Sequence, residues 1–338
     1  MHYTRLGRTG VEVSRLCLGC MMFGAKTDVD DSSRIIDKAI DTGINFLDTA
    51  NIYSRGRSEE VVGEALKRNG KREDIVLATK VHGRMKDGDH QPNRFGNSRR
   101  MIVEECHHSL RRLGTDYIDL YQIHRPQTDV PIDETLRALD DLVRSGKVRY
   151  IGCSTFAAWQ VVESLWAAKE WGLNRFVTEQ PPYHLLDRRI ERELVPAAQT
   201  YGLGIIPWSP LAGGFLTGKY RRGEAPSPDT RLTSGQGRSP AILENGQAFT
   251  VVETLADLAR ARGSSIGQVA LAWCMSQPGI TSPIIGPRTM KQLEDNLGAV
   301  DVELKDDDYE KIDAVAPPGR VIVSYYDAEF GPHTHRWT

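Results

Sequence analysis

The chain of 338 residues has no excess of either charge: 43 lysines and arginines meet 45 aspartates and glutamates, a formal net charge of −2. No block of five like charges occurs, so a nucleic-acid partner is not expected. Long apolar runs are also missing. None approaches the ~18 residues of a membrane span, and Met1-His2-Tyr3-Thr4-Arg5 lacks the apolar core of a leader, so the expectation is a cytoplasmic protein with no membrane partner. Cysteine is scarce. Cys17, Cys20, Cys106, Cys153 and Cys274 make an odd set at irregular spacing, which reads as reduced thiols and not as a disulfide or metal framework. His107 and His108 are neighbours within a helix and cannot face one ion, and His333 and His335 sit near the end, so no metal is expected. No Gly-x-Gly-x-x-Gly follows any strand-like run, which removes support for a Rossmann dinucleotide site.

What is present is a regular alternation. Tyr3 to Ser14 turns around Arg8-Thr9-Gly10 as a β-hairpin. Eight short apolar runs follow: Leu16–Leu18, Ile44–Leu47, Ile75–Thr79, Tyr117–Ile123, Val148–Cys153, Phe176–Glu179, Gly204–Trp208 and Ser282–Ile285. Helical patterns separate them, opening near Asp31, at Ser58 as an N-cap, near Ser98, Ile132, Ala157, Arg189, Phe249, Ser265 and Thr289. Continuous apolar runs of strand length suit parallel strands covered on both sides, and eight β/α units predict one (β/α)8 barrel over the chain. The tail from Pro317 to Thr338 has no periodicity and is expected to lie over the barrel or at a subunit contact.

In such barrels the chemistry sits at the C-terminal ends of the strands. The second run ends in Asp48 with Tyr53 shortly after it, the third in Lys80 and the fourth in His124. These titratable groups stand where a buried strand would otherwise carry apolar ones. A phenol is a weak acid at neutral pH, with an ordinary pKa of about 10. An adjacent ammonium stabilises the phenolate, and a carboxylate keeps that ammonium charged and oriented. Asp48, Lys80 and Tyr53 with His124 therefore form a candidate proton-delivery group for a carbonyl that becomes an alkoxide.

These residues lie in stretches that resemble the aldo-keto reductases: Gly43-Ile44-Asn45-Phe46-Leu47-Asp48-Thr49-Ala50, Ala78-Thr79-Lys80, Ile118-Asp119-Leu120-Tyr121-Gln122-Ile123-His124, Gly146-Lys147-Val148-Arg149-Tyr150-Ile151-Gly152, Trp208-Ser209-Pro210-Leu211 and Ile285-Gly286-Pro287-Arg288. The resemblance implies a barrel that binds NADPH and reduces an aldehyde or ketone to an alcohol. It assigns Tyr53 as general acid, Asp48 and Lys80 as its tuning pair, and His124 as the group orienting the carbonyl. It places the nicotinamide amide on Ser154, Thr155 and Gln180 and the ring on Trp208. Gly19, Cys20 and Met21 would line the inner end of the cofactor. Ser209, Pro210, Leu211, Gly213, Lys219 and Arg231 would follow the pyrophosphate, and Gly286, Arg288, Gln292, Asp295 and Asn296 would hold the adenosine half. Gln292, Asp295 and Asn296 share a helix face by spacing, and Arg288 precedes that helix, where free backbone N–H groups could help bind a 2′-phosphate.

Two departures from the family pattern stand out. Thr155 replaces the asparagine many members carry after strand five, and Trp208 replaces a tyrosine. Both point to the bacterial-type, often oligomeric branch related to potassium-channel β subunits and sugar-modifying reductases, so a homo-oligomer is expected. The substrate loops hold Phe23, His82, Arg84, Arg94, Arg125, Tyr183 and His184. Phe23, His82 and Arg125, beside Tyr53 and His124, are the substrate-binding candidates, and their polarity suggests a sugar-like carbonyl. The long loop Ala212 to Gln247 is expected to order over the cofactor. Two other readings stay open: a regulatory subunit that holds NADPH with slow turnover, and a Schiff-base lyase with Lys80 as nucleophile.

Overall fold

The computed structural model describes residues 1–86, 88, 91–227, 230, 232 and 240–324. Within them the first strands, β1 (Tyr3–Arg5) and β2 (Glu12–Ser14), form the expected antiparallel hairpin, with Tyr3 opposite Ser14 and Arg5 opposite Glu12. The apolar runs become β3 (Cys17–Gly19), β4 (Phe46–Asp48), β5 (Val76–Val81), β6 (Ile118–Ile123), β7 (Val148–Ser154), β8 (Phe176–Gln180), β9 (Gly204–Ile205) and β10 (Ile284–Ile285). They pair in the order β10-β3-β4-β5-β6-β7-β8-β9, all parallel. Bridges Ile205–Ile280 and Trp208–Ile284, with Ile284 N donating to Pro207 O at 2.8 Å, join the two edges and close the (β/α)8 barrel.

Parallel neighbours need crossovers, and helices supply them. They are α1 (Val29–Asp41), α2 (Arg57–Asn69), α3 (Arg99–Leu113), α4 (Ile132–Arg144), α5 (Ala158–Trp171), α6 (Leu194–Tyr201), α7 (Gly246–Arg262) and α8 (Ile266–Ser276), with α9 (Met290–Leu297) and α10 (Asp306–Val315) after the last strand. Three starts follow the cap chemistry of the sequence: Ser98 accepts from Met101 N, Ser265 from Gln268 N and Thr289 from Gln292 N. Ser58 does not. Gly56, at φ +94°, caps α2, and the Ser58 hydroxyl donates instead to Cys20 O at 2.7 Å. Helix α10 was not foreseen, and its first turn is three aspartates, Asp306 to Asp308.

Strand alternation sorts the core into two clusters. Leu6 and Val13 of the hairpin pack with Cys17, Phe46, Ala78, Leu120, Ile206 and Ile284 and plug the barrel floor. Leu18, Leu47, Leu77, Tyr121, Ile123 and Ile151 point the other way, into the layer shared with the helices. Gly7 carries the hairpin under β8 and β9. A Cβ there would lie 2.6 Å from Val177 O and 2.8 Å from Gly204 N, so no other residue fits. Of the tail, 317–324 runs along the loop after β8, where Arg188 N donates to Arg320 O and Ile322 N to Leu186 O, both at 2.9 Å. Residues 325–338, with His333 and His335, lie outside the described part. Among the described residues no helix is long and apolar enough to cross a membrane, and no group of three or more possible ligands could hold a metal.

Candidate active site

Above the apolar floor the buried, inward positions turn polar: Asp48 on β4, Lys80 on β5, Gln122 on β6 and Gln180 on β8. Lys80 is fully buried. Its ammonium donates to the Asp48 carboxylate, to Thr49 O at 2.8 Å and to Tyr53 Oη at 3.3 Å. Three N–H groups thus meet three acceptors. Burial alone would lower the Lys80 pKa, but the Asp48 carboxylate and the Tyr53 oxygen outweigh it and hold that pKa above its ordinary value. The lysine is an ammonium at any physiological pH.

Tyr53 reaches this position on a tightly fastened loop. Ser54, Arg55 and Gly56 are left-handed in succession, at φ +48°, +54° and +94°, a costly path for two non-glycine residues. Asn51 Nδ2 holds the loop to Glu105 Oε2 at 2.9 Å, and Asn51 N donates to Lys80 O at 3.1 Å. Arg112 fills the space under Gly56 and binds Glu59 Oε2 at 2.6 Å, while Thr79 Oγ1 donates to Glu59 Oε1 at 2.6 Å. His124 stands edge-on to Tyr53, with ring centroids 5.6 Å apart and planes at 85°. The four expected catalytic residues therefore converge.

Beside them lies a polar network. His82 Nδ1 meets Asn97 Oδ1 at 2.9 Å, and Asn97 Nδ2 donates to Arg125 O at 2.8 Å. That orientation of Asn97 makes His82 Nδ1 the protonated nitrogen and Nε2 an acceptor. Burial pushes the His82 pKa down, against its bond to Asn97, so the ring is neutral. Arg125 braces two loops: its Nη1 donates to His124 O at 2.7 Å and to Thr155 Oγ1 at 3.0 Å. Arg84 lies over the Phe95 ring at 3.8 Å, and Arg94 is exposed. Phe23 corrects the expectation. It has no exposed surface and packs in the core cluster that includes Ile35 and Ile36 of α1 and Val61 of α2. Tyr183 and His184, in the loop after β8, are buried too, with the Tyr183 ring against Trp273 of α8.

The residues expected at a nicotinamide cofactor fall along one track. Gly19 ends β3, where a Cβ would meet Ile284 Cγ2 at 2.5 Å. Cys20 is fully buried, which leaves half-buried Met21 to present a side chain. Ser154 Oγ donates to Gln180 O at 2.8 Å, and Thr155 sits at φ +63°. Gln180 is 2 % exposed, yet its Oε1 makes no hydrogen bond among the described residues, so it suits an amide N–H from a ligand. Trp208 is half-buried three residues past β9, where it bridges Pro182 and Ile284. After it, Ser209, Ala212, Gly213 and Gly214 all have positive φ (+57°, +48°, +66°, +92°), and the tight loop is closed by Ala212 N donating to Ser209 O at 2.9 Å and Gly214 N to Leu211 O at 2.8 Å. Pro210 is buried and Leu211 half-buried in this loop, while Lys219 is exposed with its Nζ beside Gly214.

The adenosine-side candidates are close by. A Cβ on Gly267 would lie 3.6 Å from both Thr217 and Asp295, and Thr27 Oγ1 donates to Arg288 O at 3.2 Å. Gly286 and Gln292 are exposed, and Asn296 is buried. Near the start of α9, Arg288 N donates to Gln292 Oε1 at 2.8 Å and Gln292 N to Thr289 Oγ1 at 3.3 Å, which leaves the Met290 and Lys291 N–H groups, with the Arg288 guanidinium, to meet a phosphate. Arg231 lies outside the described residues. Gln122 does not titrate, so the titratable strand ends do not point to it, although a glutamine inside an apolar strand is a visible signal.

Comparison with known proteins agrees with this geometry. The model of the aldo/keto reductase family matches residues 15–317. The oxidoreductase YrpG of Bacillus subtilis is 43 % identical over 310 residues, covering 90 % of this chain and 92 % of the relative. A probable voltage-gated potassium channel subunit beta of Oryza sativa is 38 % identical, covering 89 % and 92 %. The versiconal hemiacetal acetate reductase of Aspergillus parasiticus is 37 % identical, covering 90 % and 94 %.

Proposed function

The chain belongs to the aldo/keto reductase family, oxidoreductases that use NAD(P)H, and we propose that this member reduces an aldehyde or ketone to an alcohol with NADPH. When bound, the cofactor supplies the hydride. The chain supplies the proton and its placement. The single observation that carries this reading is the hydrogen bond from Lys80 to Tyr53. An ammonium has no lone pair, so at that contact the phenol oxygen accepts, and its own proton is left to point at a substrate oxygen. The same ammonium favours the phenolate that proton donation leaves behind, and Asp48 keeps it in place. His124, edge-on to Tyr53, bounds the position of the carbonyl.

The Arg288 guanidinium supports NADPH over NADH as the partner of a 2′-phosphate. Neutral His82, with Nε2 as an acceptor, supports a substrate bearing a hydroxyl, such as a sugar-like carbonyl. The Schiff-base reading loses support, because an ammonium with all three N–H groups engaged has no nucleophilic lone pair. A cofactor-holding regulatory role remains the second reading, favoured by the relatives named as channel β subunits. We place the protein in the cytoplasm, in keeping with five free, buried cysteines.

The test is NADPH carrying deuterium at the transferable position, incubated with aldoses, keto-sugars and benzaldehydes. Deuterium on the former carbonyl carbon of an alcohol product is the expected result. Tight NADPH binding with no labelled product from any of them would favour the regulatory role.

A further inference from the structure

Gln122 has no role in the proton delivery described above, and it is fully buried in the barrel among charged groups. A primary amide in such a place is costly unless its donors and acceptor are matched. Gln122 Nε2 donates to Asp48 Oδ2 at 3.1 Å. Gln180 Nε2 donates to the same oxygen at 3.0 Å and to Gln122 Oε1 at 3.2 Å. The three side chains close a ring. Strand register brings Gln122 beside Lys80 on one side and Gly152 on the other. A Cβ at 152 would come within 2.3 Å of Thr178 Oγ1 and 3.3 Å of Gln122 Cγ, so the glycine leaves the room that the amide occupies.

The ring fixes the direction of a second amide. Both N–H groups of Gln180 are engaged, one by Asp48 and one by Gln122, and Asp48 can only accept. Gln180 therefore cannot flip, and its Oε1 stays on the free edge of the amide. We propose that Gln122 is a positioning residue that locks Gln180, so that only a carbonyl oxygen faces the carboxamide of the nicotinamide cofactor. This rests on the cofactor reading above. The locked oxygen accepts an N–H from the carboxamide and repels the oxygen of a cofactor whose amide is replaced by a ketone. Without Gln122, one Gln180 N–H loses its acceptor, the amide can turn, and the site presents either atom.

The test compares Gln122→Met, which keeps the volume and removes the hydrogen bonds, with wild type by calorimetry. Three probes are titrated: NADP+, its 3-acetylpyridine analogue, which has a ketone in place of the amide, and 2′-phospho-ADP-ribose, which has no nicotinamide. Wild type is expected to bind NADP+ about tenfold more tightly than the analogue, the value of one hydrogen bond in a dry site. Gln122→Met is expected to narrow that ratio to about twofold while binding the ring-less fragment as wild type does, which also reports that the variant is folded. In a Gln180→Met background the second substitution is expected to change nothing further. An unchanged ratio in Gln122→Met, or an equal loss for all three probes, overturns the role of Gln122. No binding of NADP+ to wild type overturns the cofactor reading itself.

Discussion

The Glu179 carboxyl, with no solvent exposure, accepts the backbone N–H of Phe156 at 3.0 Å. It faces away from the barrel interior, one residue before Gln180, and holds the turn that carries Ser154 and left-handed Thr155. Its other oxygen is buried and has no hydrogen-bond partner among the described residues. Burial pushes its pKa well above the usual 4.5, against the two backbone N–H groups of the turn, which favours the neutral acid in the folded protein. A carboxyl that is protonated when folded and ionised when unfolded loses stability as pH rises above its unfolded value. Glu179→Gln keeps the acceptor for Phe156 and removes the titration. The variant should gain thermal stability over wild type progressively as pH rises from 5 to 8 (a window of about three units above the unfolded carboxylate value). A difference in midpoint that is constant with pH would contradict this.

His184 should show the opposite slope. Burial lowers its pKa from 6.5 to about 4, and its Nδ1 accepts from Leu186 N at 3.2 Å. The unfolded chain takes up a proton that the folded one refuses, so this contribution to stability is full above the unfolded value and is lost as pH falls from 6.5 toward 4. His184→Asn, whose Oδ1 can take the place of Nδ1, should flatten the fall in unfolding free energy measured in urea across that window. An equal slope in the two proteins would remove His184 as the cause.

Thr155 is β-branched at φ +63°, a conformation that such residues rarely adopt and that asparagine tolerates. Thr155→Asn should relieve on the order of 1 kcal/mol of backbone strain. Its Oδ1 can still accept from Arg125. The expected outcomes are a higher thermal midpoint and tighter NADPH binding, and a lower midpoint would show that the Arg125–Thr155 bond outweighs the strain.

How far the molecule could be read in advance depended on what set each feature. The eight strands were legible because parallel strands buried on both faces must be apolar throughout, and Asp48, Lys80 and His124 broke that pattern at the strand ends. Helix α10 was hidden because six of its ten residues are charged and its apolar face is short. Ser58 looked like a cap because it precedes two glutamates, but a cap depends on where the chain arrives from. Three left-handed residues gave that place to Gly56. Phe23 looked like a pocket residue because it follows a strand end, and only packing could bury it. Gln122 was passed over because a neutral amide does not titrate, and its importance lies in partners 58 and 74 residues away.

The most direct test of the central claim separates binding from chemistry at Tyr53. Tyr53→Phe removes one hydroxyl and leaves the Lys80–Asp48 pair and the cofactor track untouched. NADPH should bind to wild type and variant with the same affinity, while the rate of carbonyl reduction falls by about 10²–10⁴-fold, the worth of a positioned general acid. A variant that binds NADPH equally well and reduces the carbonyl at the wild-type rate would contradict the account.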